Sequence, residues 1–364
     1  MKIVLINYNY LPGYSSPGQW INKIKPSAII LEELSKDHSV FYAGQIGYGG
    51  NYLFNGVQYH FFDPKKRLRF PNRIHSFVNQ LKPDVVLVPG FHFPLQVMQL
   101  RLRLGRKVKI ILEHHADKPF TGIKKILQKI ADRCVKAYHF TSLGNAQEWL
   151  DAGIISNKKK CYEMPANSSY FFRQDKEQSK LEIGMSNATN FLWVGRLQKN
   201  KDPLTVLKGF EKFLSTGIPA KLYMIYQATE LLPEIEELIS KSHLLQRSVI
   251  LCSNIPHAEL ATWYSAADFY ISGSHREGGS IALVEAMSCG CIPVVTAIPA
   301  ALEVIEYGNY GFYYEPGNKD DLFESLLAIS AVDKKRLSAR VENHFKETLS
   351  ANAIAKRFTM LMDT

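Results

Sequence analysis

Short apolar segments alternate with longer stretches in which apolar residues recur at helical spacing, and this alternation runs the length of the chain. Several segments are continuous apolar runs, such as Val85-Val86-Leu87-Val88, which is typical of parallel strands covered on both faces. Alternating strands and helices predict an α/β protein built from doubly wound parallel sheets. The predicted strands are 2–8, 39–43, 57–62, 84–89, 107–113, 137–141 and 160–164, then 190–195, 220–226, 248–252, 268–272, 292–296 and 311–314.

A polar break near residues 173–189 divides this pattern in two, because strand 190–195 then starts the apolar alternation anew. We therefore expect two doubly wound domains, residues 1–175 and 176–347, with a C-terminal helix at about 348–364 that packs back on the first. In open parallel sheets, ligands bind beyond the carboxyl ends of the strands. We expect the cleft between the two domains to hold the functional site.

Composition and charge limit the class of protein. The 364 residues are 46% hydrophobic and 21% charged, which excludes an intrinsically disordered chain. The net charge is +10, and residues 1–175 hold 25 Lys and Arg against 12 Asp and Glu, whereas residues 176–364 hold 19 against 22. The basic excess belongs to the first half, where it fits an anionic membrane surface or a phosphate-rich ligand. No nucleic-acid partner is expected, since the basic runs lack a recognised nucleic-acid module.

The cysteines and the lengths of the apolar runs indicate the compartment. The five cysteines contain no Cys-x-x-Cys pair, so neither a disulfide framework nor a zinc ribbon is indicated. No apolar run approaches the 18 residues that span a bilayer, and the apolar run near Met1 is too short for a signal peptide. We expect a cytoplasmic protein, or one held peripherally on the inner face of the membrane.

The segment Ser274–Val295 carries the strongest chemical signal. It predicts a strand end, a turn at Gly278-Gly279, and a buried helix that Ser280 caps. The turn and the helix start offer backbone N–H groups to an anion, as phosphate sites do. Glu285 interrupts the apolar surface of that helix, and a buried carboxylate needs partners. A sugar diol is one such partner, and the alternative is a glutamate at the helix edge that a neighbouring backbone or basic group satisfies.

These residues resemble the retaining, nucleotide-sugar-dependent glycosyltransferases of the GT-B fold, family-4 type, whose hallmark is Glu-x7-Glu with Glu-Ala-Met-x-x-Gly-x-Pro-Val-Val. The matching residues are Glu277, Glu285, Ala286, Met287, Gly290, Pro293, Val294 and Val295. The resemblance implies that Glu277 contacts hydroxyls of the donor sugar and that Glu285 holds the ribose diol. It also implies that the donor contacts Gly278, Gly279, Ser280 and Ile281. Ser280 stands where the family usually has glycine, which leaves the identity of the donor sugar open.

A second motif follows the first strand of the second half, in the sequence Gly195-Arg196-Leu197. Two cations at the carboxyl end of a parallel strand, Arg196 and Lys201, form a cradle for a pyrophosphate. The alternative is a solvated basic loop. Asp202 is placed to cap the next helix, with Pro203 at its first position. The motif resembles the family's Gly-Arg-Leu-x-x-x-Lys, which implies that both cations hold the diphosphate and stabilise the leaving group.

The first half offers two weaker signals. Two histidines, His114 and His115, follow the strand 107–113. The resemblance implies that His115 contacts the donor sugar near the reacting carbon, with His114 as the rival and a core or exposed histidine as the alternative. The loop 11–18 reads most simply as a surface turn, although the resemblance places Gly13 or Gly18 near the phosphate.

The cations of the first half cluster at 65–69, 101–107 and 118–136. In the last cluster, one helical face carries the apolar residues Ile123, Ile126, Leu127 and Ile130, and the lysines lie largely outside that face. We expect the apolar face to pack on the sheet, as in an ordinary domain helix. The alternative is peripheral attachment to anionic lipid, where a lipid-linked acceptor is met.

The resemblance thus implies two Rossmann-like domains and a hexosyltransferase that uses a UDP- or GDP-sugar, retains configuration, and acts on a saccharide or lipid-linked acceptor in polysaccharide or glycolipid biosynthesis. No metal or other cofactor is expected, since Asp-x-Asp is absent and the pair His114-His115 lacks the spacing of a zinc site. Two alternatives are an epimerase of nucleotide sugars with the same fold, and a non-catalytic paralogue that binds membrane or polyanion.

Overall fold

The computed structural model describes residues 1–10, 13–63, 71–115 and 117–363. The chain forms two compact units: unit 1 comprises Met1–Ser168 with Ala351–Thr364, and unit 2 comprises Ser169–Ser350. Each unit is an α/β structure built on its own sheet, which confirms the predicted fold class.

Eight strands of the described residues form the sheet of unit 1, in the order β3-β4-β2-β1-β5-β6-β7-β8. They are β1 Lys2–Tyr10, β2 Ser39–Gln45, β3 Gly50–Phe54, β4 Val57–Phe62, β5 Val85–Pro89, β6 Lys109–Glu113, β7 Ala137–Phe140 and β8 Cys161–Glu163. All neighbours are parallel except β3 and β4. The chain builds outward from β1 on one side and then returns to β5 on the other, so the topological switch point lies between β1 and β5.

Six strands of unit 2 form a sheet in the order β11-β10-β9-β12-β13-β14, and all pairs are parallel. They are β9 Thr189–Gly195, β10 Ala220–Tyr226, β11 Val249–Ser253, β12 Phe269–Ile271, β13 Ile292–Thr296 and β14 Phe312–Tyr314. The switch point of this sheet lies between β9 and β12, so the loops that follow these two strands begin side by side.

The α-helices of the described residues follow the strands in chain order. They are α1 Pro17–Lys23, α2 Lys25–Leu34, α3 Asn72–Leu81, α4 Pro94–Leu104, α5 Gly122–Ala131, α6 Gln147–Asp151, α7 Lys176–Ile183, α8 Pro203–Leu214, α9 Leu232–Ser240, α10 His243–Ser248, α11 Leu260–Ala266, α12 Ile281–Ser288, α13 Pro299–Val304, α14 Lys319–Ala328, α15 Lys334–His344 and α16 Ala351–Asp363.

Each sheet carries a hydrophobic core on both faces, because successive side chains of a strand point in opposite directions. In β1, Ile3 and Leu5 belong to one core of unit 1, and Val4 and Ile6 belong to the other. This double burial explains why the parallel strands read as continuous apolar runs.

Helix α16 completes one core of unit 1. Its residues Ile354, Phe358 and Met362, spaced at four, are buried in the core that also contains Ile3 and Leu5. The helix packs against α2. The last segment of the chain therefore contributes to the same hydrophobic core as the first strand.

Strand β3 is absent from the strands that the apolar pattern predicts. It pairs antiparallel with β4 at the edge of the sheet, through a two-residue turn at Asn55 and Gly56, whose φ values are 45° and 81°. Asn-Gly is the sequence that such a turn prefers, since both positions need positive φ. The other thirteen strands of the described residues are the predicted ones, with bounds that agree within two residues.

The expectation that α5 packs its isoleucines on the sheet is wrong. Ile123, Ile126 and Ile130 are 78%, 56% and 45% exposed, and the buried residues of the helix are Gln128 and Ala131. The buried side-chain amide of Gln128 must keep its hydrogen-bond partners. This requirement sets the rotation of α5 about its axis. The cations at 65–69, in the first of the predicted basic clusters, lie outside the described residues.

Candidate functional site

Two loops meet at the switch point of unit 2: residues 196–202 after β9, and residues 272–280 after β12. The backbone N–H of His275 donates to the carbonyl of Asn200 at 2.9 Å, and the Asn200 side chain donates to the carbonyl of Arg276 at 3.0 Å. The His275 imidazole lies 3.0 Å from an oxygen of Asp202. These bonds hold the two loops against each other.

Gly273 is the point of closest approach between the two loops. A Cβ atom at this position would lie 2.7 Å from the carbonyl oxygen of Asp202 and 3.0 Å from that of Lys201. Such contacts are too short for a side chain, and backbone atoms cannot yield as a flexible side chain can. A glycine at this position therefore allows the backbones of the two loops to approach each other this closely.

The pairing of the loops brings Lys201 to Glu277, and the Lys201 ammonium contacts Glu277 Oε1 directly. Ser274 donates its hydroxyl to the same carboxylate oxygen at 2.8 Å. Both charged side chains are largely buried, so their attraction is screened less than that of a surface pair. Glu277 Oε2 takes part in neither contact and remains available to a hydroxyl donor.

Arg196, the other cation of this motif, is exposed just beyond the end of β9. Among the residues that the structure describes, no carboxylate lies within ion-pair distance of its guanidinium. The motif therefore supplies one cation that is already paired and one that is open to an anion. The predicted cap is confirmed: Asp202 accepts from the N–H of Thr205 at 3.2 Å, and Pro203 begins α8.

Helix α12 begins at this site, directly after the glycine pair Gly278-Gly279. Ser280 caps it by accepting from the N–H of Leu283 at 3.4 Å, as the sequence predicts. The N–H groups of the first turn have no acceptor within a helix, so Ile281 and Ala282 offer theirs outward. The side chain of Ile281 is exposed, which departs from the expectation that this helix is buried throughout its length.

Glu285 on α12 is 3% exposed, so its carboxylate needs partners within the protein. His257 Nε2 lies 2.7 Å from Glu285 Oε1, and the hydroxyl of Tyr264 donates to Oε2 at 3.4 Å. The other nitrogen of His257, Nδ1, lies 2.9 Å from the hydroxyl of Tyr170. Burial, with the negative charge of Glu285, raises the pKa of the Tyr170 hydroxyl. The buried carboxylate thus has a histidine partner that is itself open to solvent.

The two glutamates of the Glu-x7-Glu motif both act on Tyr270, a buried residue of β12. Burial, together with smaller contributions from Glu277 and Glu285, raises the pKa of the Tyr270 hydroxyl. The structure therefore brings Arg196, Lys201, Glu277 and the start of α12 to the carboxyl ends of β9 and β12, and Glu285 lies in the second turn of α12.

The two histidines after β6 in unit 1 lie in opposite environments. His114 is buried, with its ring 5.0 Å from the ring of Phe140 and 5.5 Å from that of Phe91. His115 is exposed, and its Nε2 lies 3.1 Å from Glu113 Oε1. Of the two candidates, His115 is the one that a ligand of unit 1 can reach.

Glu113 and His115 shift each other's titration. Burial disfavours the charged form of both groups, but the opposite charge and the hydrogen bond between them outweigh it. The pKa of His115 is therefore raised, and the pKa of Glu113 is lowered with a further contribution from His139.

Gly13 lies on an exposed turn of unit 1 before α1, with a φ of 102° and open space where a Cβ would stand. Leu11 and Pro12 of the same loop lie outside the described residues. Gly18 lies within α1, whose cap is Ser16.

Three residues of the site have no predicted role in the sequence. Ser274 orients Glu277, Gly273 permits the loop contact, and His257 pairs with Glu285. Ser274 precedes Glu277 by three residues, so the motif itself contains that signal. The partner of Glu285 is 28 residues away on another loop, and nothing in the spacing indicates it.

The part of the chain that contains this site is similar to known proteins. Residues 175–344 match the family model described as "Glycosyl transferases group 1". The chain is 29% identical over 160 residues to the N-acetyl-alpha-D-glucosaminyl L-malate synthase of Bacillus anthracis, an alignment that covers 44% of this chain and 41% of that protein. It is 24% identical over 291 residues to the lipopolysaccharide core biosynthesis mannosyltransferase LpsB of Rhizobium meliloti, which covers 74% and 77%. Four of the curated relatives, the Bacillus anthracis synthase among them, are matched over only 31% to 48% of their own length.

A solved structure agrees over the whole chain. The crystal structure of Anabaena Alr3699/HepE in complex with UDP superposes with a TM-score of 0.75 at 14% identity, and the match covers 100% of both chains. At this identity the likeness shows the fold alone. The fold is the predicted GT-B type, with two Rossmann-like units of parallel-sheet α/β structure.

Proposed function

We propose that this protein is a retaining glycosyltransferase that moves a hexose-type sugar from a UDP- or GDP-sugar to an acceptor hydroxyl. The observation that carries the proposal is the ion pair between Lys201 and Glu277. It places a cation suited to phosphate directly against a carboxylate suited to sugar hydroxyls. A sugar diphosphate presents these two chemical groups next to each other.

The donor nucleotide is bound through Glu285 and the start of α12. The two oxygens of the Glu285 carboxylate accept hydrogen bonds from the two hydroxyls of the ribose. At Oε1, the ribose hydroxyl binds beside His257 or displaces it. The N–H groups of Ile281 and Ala282 and the glycine pair Gly278-Gly279 donate to the phosphates, where the positive end of the helix dipole adds to the attraction.

In the reaction, the bond between the anomeric carbon and the diphosphate oxygen breaks, and negative charge grows on the leaving group. Arg196 and Lys201 neutralise that charge where it develops. Lys201 then exchanges part of its contact with Glu277 for the phosphate, while Glu277 holds sugar hydroxyls. The acceptor hydroxyl attacks on the face that the diphosphate leaves, and its proton departs with the diphosphate. His115 of unit 1 is the residue proposed to contact the donor sugar near the reacting carbon.

No metal ion or other cofactor enters this proposal, because Arg196, Lys201 and the start of α12 supply the positive charge at the diphosphate. The acceptor is a saccharide or a lipid-linked hydroxyl, and the names of LpsB and of the capsular polysaccharide biosynthesis glycosyltransferase CapM of Staphylococcus aureus, another relative, support a role in polysaccharide or glycolipid biosynthesis. A cytoplasmic location is supported by the five cysteines, all of which are free thiols.

Calorimetric titration with UDP and with GDP, followed by nucleotide-release assays with and without acceptors, tests the proposal. We expect one nucleotide to bind and its release from the sugar donor to depend on an acceptor. A nucleotide-sugar epimerase converts its donor without any acceptor, and a non-catalytic paralogue binds neither nucleotide. Glu277→Ala is expected to abolish transfer without unfolding the protein, and near-normal turnover in that variant contradicts the site assignment.

A further inference from the structure

We infer that the outward face of α5 binds the surface of an anionic lipid bilayer. We call this surface the isoleucine face, defined by Ile123, Ile126 and Ile130. Isolated exposed apolar residues are common on soluble proteins. The three isoleucines of this face, in contrast, are spaced so that they lie together on one side of the helix. They form a continuous apolar surface that the rest of unit 1 does not cover.

The helix is held in this orientation by its buried side. The Gln128 side chain accepts from the N–H of Phe120 at 3.0 Å and donates to the carbonyl of Phe91 at 3.1 Å. Turning the isoleucines inward would bring Gln128 to the surface and leave both backbone groups without this partner. The outward face is therefore built into the fold and does not require a conformational change to form.

The charges around the isoleucine face match an anionic surface. Lys124, Lys125 and Lys129 lie on the same helix, which contains no acidic residue. Within the described ranges, none of these three lysines pairs with a carboxylate, and Lys124 instead lies 5.5 Å from the ring centre of Phe120. An apolar stripe beside unpaired lysines is the arrangement by which a surface helix enters the headgroup region of anionic lipid.

A bilayer fits this face better than a second copy of the chain. Residues 1–175 carry 25 Lys and Arg against 12 Asp and Glu, so two copies meeting through α5 would bring like charges together. None of the helices in the described ranges combines the length and the hydropathy of a transmembrane span. If the proposed transfer is correct, the acceptor is presented at the membrane surface.

Vesicle co-sedimentation of the full chain tests this inference, with phosphatidylcholine alone and phosphatidylcholine mixed with phosphatidylglycerol. We expect binding to the mixed vesicles that weakens as salt is added. Each Ile→Ser substitution on the face should weaken binding by about tenfold. Lys124→Gln and Lys129→Gln should each weaken it by about fivefold and flatten the salt dependence.

The matched control is Leu181→Ser on α7 in unit 2, because Leu181 is 84% exposed and Ile123 is 78% exposed. We expect that variant to bind vesicles as the parent does.

Equal binding by the Ile123→Ser/Ile126→Ser/Ile130→Ser variant and the parent overturns the inference, as does equal binding to neutral and anionic vesicles. A change in oligomeric state on these substitutions, without vesicle binding by the parent, identifies a second copy as the occupant. Nucleotide titration of the same variants separates this test from the proposed transfer, since the isoleucine variants should bind nucleotide normally.

Discussion

Lys201 and Glu277 form an ion pair although 76 positions separate them in the chain. The contact exists because β9 and β12 are neighbours in the sheet and their following loops are joined through His275 and Asn200. The chain topology thus sets which cation meets which carboxylate, and the loops hold the pair where a sugar diphosphate is proposed to bind.

Removing either cation of the site should weaken nucleotide binding. A charged hydrogen bond contributes about 1.5 to 3 kcal/mol, so we expect Arg196→Ala and Lys201→Ala each to raise the Kd of the preferred nucleoside diphosphate by about 10- to 100-fold. Lys199→Ala is the control, because Lys199 is exposed on the same loop and has no assigned contact. Isothermal titration measures all three. Equal losses in the control and in Lys201→Ala would show that only general positive charge matters.

Glu285 should recognise the ribose rather than the base or phosphate. We expect the parent protein to bind the ribonucleotide about tenfold or more tightly than its 2′-deoxy analogue, and Glu285→Gln to reduce this preference strongly. The comparison is a ratio within each variant, so a small change in folding does not affect it. Glu259→Gln, an exposed glutamate of the neighbouring turn, should keep the preference of the parent. A preference that survives in Glu285→Gln would assign the ribose to another residue.

Gly273→Ala should separate the two loops. The added methyl would stand 2.7 Å from the carbonyl oxygen of Asp202, and overpacking of this kind costs about 1 to 3 kcal/mol of folding free energy. Urea unfolding of unit 2 together with nucleotide titration should show a loss of stability and of binding. Gly49→Ala is the control, since the nearest atoms to its Cβ position are those of Asp63 at 3.7 Å, an ordinary van der Waals contact. Normal nucleotide binding by Gly273→Ala would show that the loop contact is not needed for the site.

The Glu113–His115 pair should make the stability of unit 1 depend on pH. The raised pKa of His115 means that its contribution is complete below pH 6.5, its ordinary value, and is lost as the pH rises through the raised value. The lowered pKa of Glu113 means that its contribution is present above pH 4.5 and is lost as the pH falls. His115→Gln should therefore lower the melting temperature most between pH 4.5 and 6.5.

At alkaline pH, the parent and His115→Gln should converge in melting temperature, because the histidine of the parent is then neutral. His243→Gln is the control, since His243 is exposed and makes no ion pair with the described residues. A constant difference between His115→Gln and the parent across the pH range would mean that packing, and not charge, carries the effect.

Features set by neighbouring residues were predictable from the sequence. The caps at Ser280 and Asp202 depend on a side chain and an N–H three positions later, so local spacing is sufficient to find them. The central strands were predictable because burial on both faces leaves a continuous apolar run. The β3–β4 hairpin was missed although Asn55-Gly56 is its signal, since the exposed residues of β3 break the apolar pattern.

Features that depend on contacts distant in the chain were not predictable. The rotation of α5 follows from two backbone groups that Gln128 reaches, and these lie 8 and 37 positions away. The apolar periodicity of the sequence predicts the isoleucine face. It does not indicate whether that face packs on its own domain or on another surface. The pairing of His257 with Glu285 likewise depends on how two loops pack, so the sequence indicates that Glu285 needs a partner without naming it.

Helix α16 also affects the order in which the protein can fold during synthesis. The ribosome produces residues 351–363 only after it has produced residues 1–168 and all of unit 2. At about 5 to 20 residues per second, unit 1 waits roughly 10 to 40 s for Ile354, Phe358 and Met362 to fill its core. During that interval the core residues that α16 later covers, Ile3 and Leu5 among them, lack that cover. The half of the protein that is made first is therefore the half that is finished last.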